Sequence, residues 1–184
     1  MPEPEPPDPS KFFLAETQRL ESVAAHAPIL DLACGRGRHS LASAELGIPT
    51  VALDRSPDFL SALDARARSA NLPLRCLRAD LESGFGLPLK PESFSALLVF
   101  RYLWRPLCPK LGGLLRPGGW LLYETFTVRQ RAWNSGPRNP NFLLAEGELA
   151  TLFPDLRVHR FEESAGSEAE PAALARLLAQ RPPP

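Results

Sequence analysis

Three aspartates stand at or just past the ends of three apolar runs in this chain of 184 residues. Asp31 lies in Ile29-Leu-Asp-Leu32, Asp54 closes Thr50-Val-Ala-Leu-Asp54, and Asp80 follows Leu74-Arg-Cys-Leu-Arg78. Directly after the first run comes Ala33-Cys-Gly-Arg-Gly-Arg-His39, a turn by its glycines, and a helical pattern from Leu41 to Leu46 begins at once. At Gly35 and Gly37 a side chain would clash in the turn or hold a ligand off the backbone. A helix starting there aims its free N–H groups and positive dipole end back at the turn, which suits a polar or anionic ligand. Asp31, at the carboxyl end of the first run, is left facing the same crevice, and three acids in register around one glycine turn form a signal that one alone would not.

Short apolar runs alternating with helical patterns must position those acids. Ser10 reads as the N-cap of a helix to about Ala25, with Phe12, Phe13, Leu20 and Val23 for packing. Pro28 ends that approach and Ile29–Leu32 is the first strand; Thr50–Asp54 and Leu74–Arg78 are the next two, with a helix from Ser56-Pro57 to Ala70 between them. Ser83 to Pro91 is a connection, and Phe94–Phe100 is apolar throughout, as a strand covered on both faces should be. A helix from about Pro106 to Leu115, a turn at Arg116-Pro-Gly-Gly119 and a strand at Trp120–Thr125 follow. Thr127–Asn141 shows no period, and so long an irregular stretch is usually functional or mobile. Glu146–Phe153 reads as a short helix stopped by Pro154, and Leu156–Phe161 and Leu174–Ala179 as two last strands, the second equally compatible with a helix. The alternation predicts an α/β domain with a mostly parallel sheet, whose ligands bind outside the carboxyl ends of the strands where the winding reverses. Residues 1–9 read as a disordered, proline-rich lead, 10–180 as one domain and 181–184 as a tail.

Composition narrows the classes of function. No apolar run approaches the roughly 18 residues of a membrane span, and no basic-then-apolar signal pattern opens the chain. Three cysteines without paired or metal-type spacing fit a reducing cytoplasm and argue against a disulfide framework or a metal site. The formal charge is zero, so no global field attracts nucleic acid. Locally, Arg101 to Arg138 holds seven basic residues against one acid, Glu124, whereas Asn139 onward holds seven acids and four arginines. Oligomeric state, monomer or homodimer, is open.

Taken together, Leu30-Asp-Leu-Ala-Cys-Gly-Arg-Gly-Arg-His39, Val51-Ala-Leu-Asp-Arg-Ser56, Arg78-Ala-Asp-Leu81 and Leu115-Arg-Pro-Gly-Gly-Trp-Leu-Leu-Tyr-Glu-Thr125 resemble the class I S-adenosylmethionine-dependent methyltransferases, over nearly all of residues 10–180. Among these the chain is most similar to small bacterial tellurite-resistance-type proteins. The resemblance implies a Rossmann-like, doubly wound, seven-stranded sheet with an antiparallel final strand, and S-adenosylmethionine as cofactor. It implies that Gly35 and Gly37 admit the methionine part, with Asp31 near its ammonium, and that Asp54, flanked by Arg55 and Ser56, takes the ribose hydroxyls. Asp80 would accept from the adenine amino group, Leu81 would lie on the ring, and Phe100 and Arg101 would border the transferable methyl. Ala33 stands where the family most often has glycine.

These residues admit other readings. A glycine turn with an acid about 20 residues on also marks nicotinamide-binding domains, but the third glycine of that fingerprint is Ser40 here, and Asp31 and Asp80 would go unexplained. Asp80 could simply cap the next turn. Cys34 fits a buried structural thiol, and His39 a cap or cofactor-edge position. Methyl transfer from a sulfonium needs positioning and exclusion of water more than acid–base chemistry; a phenol or amine acceptor would need a base, an ionised acceptor none. Tyr102, Tyr123 and Glu124, at strand ends, are the candidates for base or orientation. Trp104, Phe126, Trp133 and Phe142 would wall an acceptor pocket, and Arg101, Arg105, Arg129, Arg131 and Arg138 would receive an anionic group of a small acceptor. An RNA or protein methyltransferase, and a cofactor-binding protein without catalysis, are the rival readings; neither an added recognition domain nor an Asn/Asp-Pro-Pro-aromatic sequence after the fourth strand is present.

Overall fold

The structure, a computed structural model, describes residues 7–83, 87–168 and 170–183, so residues 1–6, 84–86 and 184 of the expected lead, connection and tail, and residue 169, lie outside the described residues. Helices α1 (Lys11–Ala15) and α2 (Thr17–Ala24) precede strand β1 (Ile29–Leu32). Then come α3 (Arg38–Glu45), β2 (Thr50–Asp54), α4 (Pro57–Ser69), β3 (Leu74–Arg78), β4 (Phe94–Phe100), α5 (Cys108–Leu111), β5 (Leu115–Phe126), β6 (Arg157–Ser164) and β7 (Leu174–Gln180). The seven strands form one sheet in the order β3-β2-β1-β4-β5-β7-β6. β1 to β5 are parallel, and β7 runs antiparallel to both β5 and β6. The fold class read from the sequence is thus the one observed.

Both faces of the sheet are covered, which is why β1 and β4 are buried along their whole length. Side chains alternate between faces: Leu97, Val99, Leu121 and Tyr123 pack on the side of α5, while Ala96, Leu98, Phe100 and Leu122 pack against Phe12, Phe13 and Leu20 of α1 and α2. The winding reverses between β1 and β4, so the carboxyl ends of these two strands, at Leu32 and Phe100, flank the switch point.

Four boundaries differ from the sequence reading. The helix expected from Ser10 to Ala25 breaks at Glu16, whose buried carboxylate pairs with Arg19 at 2.8 Å and with Arg160 of β6 at 3.2 Å; the Ser10 cap itself is present, accepting from the Phe12 N–H. The helix expected over Pro106–Leu115 is a single α turn, Cys108–Leu111, between two 3-10 turns. Arg116-Pro-Gly-Gly119 is no turn but part of β5, where a Cβ on Gly119 would stand 3.0 Å from the Ser95 carbonyl oxygen across the sheet. The helix expected over Glu146–Phe153 is a 3-10 turn, Glu148–Thr151, and the ambiguous last segment is a strand, fixed by pairing with β5.

Candidate active site

Local backbone geometry explains the glycine turn. Gly35 and Gly37 have φ of +56° and +78°, a region L-side chains rarely enter. The two differ in surroundings. A Cβ on Gly37 would stand 2.6 Å from Leu63, a core residue of α4, whereas a Cβ on Gly35 would meet nothing within 4 Å. Gly37→Ala is therefore expected to cost about 1–3 kcal/mol of stability and to lower Tm by roughly 2–4 °C per kcal/mol, from strain and overpacking. Gly35→Ala carries only the backbone part of that penalty and should instead weaken ligand binding. Melting and calorimetry on the two variants separate these outcomes; equal loss of Tm would contradict the distinction.

Asp54 ties the turn to the start of α4. One carboxylate oxygen accepts from the Gly35 N–H at 2.8 Å and the other from the Ser56 N–H at 2.9 Å, while the Ser56 hydroxyl caps α4 through the Phe59 N–H. Asp31 is buried, takes the Ser40 hydroxyl at 2.5 Å, and has its carboxyl raised to about 7 by burial, with Ser40 pulling the other way. Asp80 does cap the turn beyond it, through the Glu82 N–H at 2.9 Å, while also lining the crevice with Leu81 and Arg55.

Two adjoining cavities open at the strand ends. The first, about 380 Å³, is bounded by Asp54, Asp80 and Leu81 on one side and by Tyr102, Phe126 and Phe142 on the other. The second, about 490 Å³, lies at the switch point among Asp31, Gly35, Arg38, His39 and Phe100, with Pro7 at its rim. Ala33 and Arg101 line both. These two residues also share positive φ, +54° and +58°, unusual outside glycine and costing on the order of 1 kcal/mol each. The Ala33 position is thus one where glycine would be relaxed, so alanine there carries a small strain. Arg101 is held by its N–H to the Glu124 carbonyl at 2.7 Å, and its guanidinium stands 5.1 Å over the Phe126 ring.

Several expected site residues are placed elsewhere. Tyr123 falls on the core face by the alternation of β5; it is 1% exposed, donates its hydroxyl to the Tyr102 carbonyl at 2.9 Å, and burial holds its phenol well above the usual range. Glu124, also 1% exposed, is committed to Arg176 of β7 and to the Ser10 hydroxyl, each at 2.8 Å, and so anchors α1. Neither is placed to take a proton from an acceptor. Arg105 pairs with Glu148 and donates to the Asn141 and Leu143 carbonyls, so it pins the loop instead of presenting a free charge. Trp133 donates to the Ala165 carbonyl and packs at Gly166, away from the crevice, and Arg129 pairs with Glu146. Trp104 packs on the core beside α5, and Arg131 and Arg138 lie exposed in the loop. Tyr102 keeps its place at the crevice, but burial and the neighbouring Glu82 raise its phenol.

Arg38 was not among the expected site residues. Arg38 lines the second cavity, and its guanidinium holds the Asp8 carbonyl at 3.2 Å, laying the chain before α1 against the glycine turn. His39 stacks on Phe100 with ring centroids 3.8 Å apart and accepts the Ser10 N–H on Nε2. Burial, with Arg38 and Arg101 nearby, lowers its imidazole to about 3, so it stays neutral. The arginines of Gly-Arg-Gly-Arg-His were visible, and both line the second cavity, Arg36 with its guanidinium 5.5 Å over the Phe59 ring. Among the described residues no cluster of three or more possible metal ligands occurs.

Comparison with known proteins bears on the fold that carries this crevice. Residues 29–119 match a methyltransferase domain family. No curated protein matches the sequence. Among solved structures, a SAM-dependent methyltransferase from Aquifex aeolicus superposes with TM-score 0.66 at 15% identity, over 95% of this chain and 94% of that one. Geranyl diphosphate C-methyltransferase from Streptomyces coelicolor, solved with Mg2+, geranyl diphosphate and S-adenosyl-L-homocysteine, gives 0.67 at 15%, over 91% and 80%. The cyclase SpnF gives 0.69 at 17%, over 98% and 86%. At such identities the likeness is one of fold, and the fold is shared across the whole sheet. Residues 29–119 thus resemble a methyltransferase domain, and the chain has the Rossmann-like fold seen in solved S-adenosylmethionine-dependent methyltransferases.

Proposed function

We propose that this protein binds S-adenosylmethionine and transfers its methyl group to a small, anionic acceptor, acting in the cytoplasm. The observation that carries the reading is Asp54, whose two oxygens each hold one backbone N–H of the crevice and keep lone pairs free toward it. The residues suit the cofactor: the open space at Gly35 admits a ligand against bare backbone, Asp31 offers a buried carboxyl to an ammonium, and Asp80 and Leu81 sit where a base would lie beyond Asp54. A kinship with tellurite-resistance-type proteins, proposed from the sequence resemblance alone, would fit a small acceptor. When bound, S-adenosylmethionine supplies a methyl on a positively charged sulfur, an electrophile with its leaving group already activated.

The chain's own part is positional. Asp54 and Asp31 orient the two ends of the ligand, Phe100 and the His39 ring give the methionine side an apolar floor, and Phe126 and Phe142 wall the acceptor side against water. Calorimetry with S-adenosylhomocysteine and with 5′-methylthioadenosine tests the reading; both should bind, and failure of both would sink it. Labelled S-adenosylmethionine incubated with fractionated cytosolic metabolites should then mark the acceptor. Binding without labelling of any fraction would favour a second reading, cofactor binding without methyl transfer, which the shared fold of the cyclase SpnF supports.

A further inference from the structure

We infer that Arg101, with Arg38 behind it, seats a carboxylate of the acceptor, and that this ionised carboxylate is itself the group methylated. The inference rests on the methyltransferase reading above and narrows its acceptor.

Three arginines, Arg36, Arg38 and Arg101, line one cavity at the switch point, and none has a carboxylate within ion-pair distance among the described residues; the Arg36 guanidinium stands 5.5 Å over the Phe59 ring, whereas Arg101 alone also lines the first cavity. Arg38 is held by a neutral carbonyl, and burial together with the charge of Arg101 makes its proton less tightly held. Arg105, Arg129, Arg160, Arg176 and Arg181 find acids, and Arg78 and Arg116 hold the Arg55 and His26 carbonyls. Arg101 instead accepts a strained backbone at φ +58°, which delivers its side chain to the wall shared by both cavities. There it stands over Phe126, and Tyr102, Pro137 and Phe142 continue an apolar surface. A guanidinium fork beside an aromatic wall matches a carboxylate on a compact apolar body.

The remaining side chains point to an acceptor that arrives deprotonated. The Tyr102 phenol and Cys34 thiol are raised by burial, His39 is neutral with Nε2 engaged, and Tyr123 and Glu124 are committed. A carboxylate needs none of them. One oxygen rests on Arg101 and the other forms the bond to the methyl carbon; the carbon–sulfur bond breaks with its electron pair going to sulfur. The products are a methyl ester and S-adenosylhomocysteine, and no proton changes hands.

Benzoate, phenylacetate and 3-phenylpropanoate, each with its matching amide, are titrated into the wild-type protein saturated with S-adenosylhomocysteine. At least one acid should bind in the millimolar range or tighter, with its amide at least tenfold weaker. Arg101→Met should lose that acid at least tenfold while keeping S-adenosylhomocysteine within threefold, and Arg101→Lys, with the same backbone demand, should retain part of the acid affinity. With labelled S-adenosylmethionine the bound acid should yield a product that releases methanol in base. The inference is overturned by acids and amides binding alike, by no acid binding, or by Arg101→Met losing S-adenosylhomocysteine as severely as the acid. Loss of S-adenosylhomocysteine binding in the wild type would strike the methyltransferase reading instead, and is visible separately.

Discussion

Replacing Asp54 with alanine is expected to weaken S-adenosylhomocysteine binding by at least 100-fold, or about 2.8 kcal/mol. The carboxylate does two jobs at once. Inside the protein it satisfies the Gly35 and Ser56 N–H groups, at 2.8 and 2.9 Å, and so fixes the glycine turn relative to α4. Toward the crevice its remaining lone pairs are the acceptors that a ribose diol requires. Alanine removes both, leaving two N–H groups of the crevice without partners at a cost of about 1–3 kcal/mol each if water cannot replace them. Asparagine keeps one oxygen but sets an NH₂ against a backbone N–H, so Asp54→Asn should fall between wild type and alanine in both affinity and Tm. Calorimetry and thermal melting on the three proteins decide the matter. Binding by Asp54→Ala within threefold of wild type would place the nucleoside elsewhere and remove the basis of the site.

The sheet from β1 to β4 was legible because each strand is a short apolar run closed by a turn signal or an acid, and the observed bounds of β1, β2, β3 and β4 coincide with the expected ones. What escaped was decided by distant partners. The break at Glu16 depends on Arg160, which lies 144 residues later in sequence, on β6. The sequence Arg-Pro-Gly-Gly looks like a turn from local chemistry, yet Gly119 is required by the closeness of Ser95 across the sheet. Tyr123 and Glu124 were rightly placed near a strand's carboxyl end. Reading them as crevice residues failed because period-two alternation turns Tyr123 into the core, and because Arg176, opposite Glu124 on β7, takes the acid's charge. The basic block after Arg101 divided in the same way. Arg105 and Arg129 found carboxylates at Glu148 and Glu146, in the acidic part of the chain, and only the fold says which arginines are left over.

Cofactor affinity should rise with pH between about 6 and 8, through Asp31. Burial raises this carboxyl to about 7; the Ser40 hydroxyl and the charge of Arg38 pull it down, and Asp54 pushes it up. In an unfolded chain an aspartate titrates near 3.9. Between those two values the folded protein without ligand therefore binds a proton that the unfolded chain has released, so this group's contribution to stability falls as pH rises from about 4 to about 7 and then levels off. The ligand's ammonium reverses the preference, because a positive charge beside the carboxyl favours its ionised form. Below pH 7 binding must expel the proton, and affinity for S-adenosylhomocysteine should decline by up to tenfold per unit as the pH falls; above 7 it should flatten. His39, held to about 3, is neutral over the whole window and adds no slope. Three measurements isolate the effect. S-adenosylhomocysteine should bind about tenfold tighter at pH 8 than at pH 6, 5′-methylthioadenosine, which has no ammonium, should bind equally at both, and Asp31→Asn should flatten the first profile toward the second. A level profile for S-adenosylhomocysteine in the wild type would mean that Asp31 does not meet the ammonium, and the cofactor's amino-acid end would then have to lie away from the turn between β1 and α3.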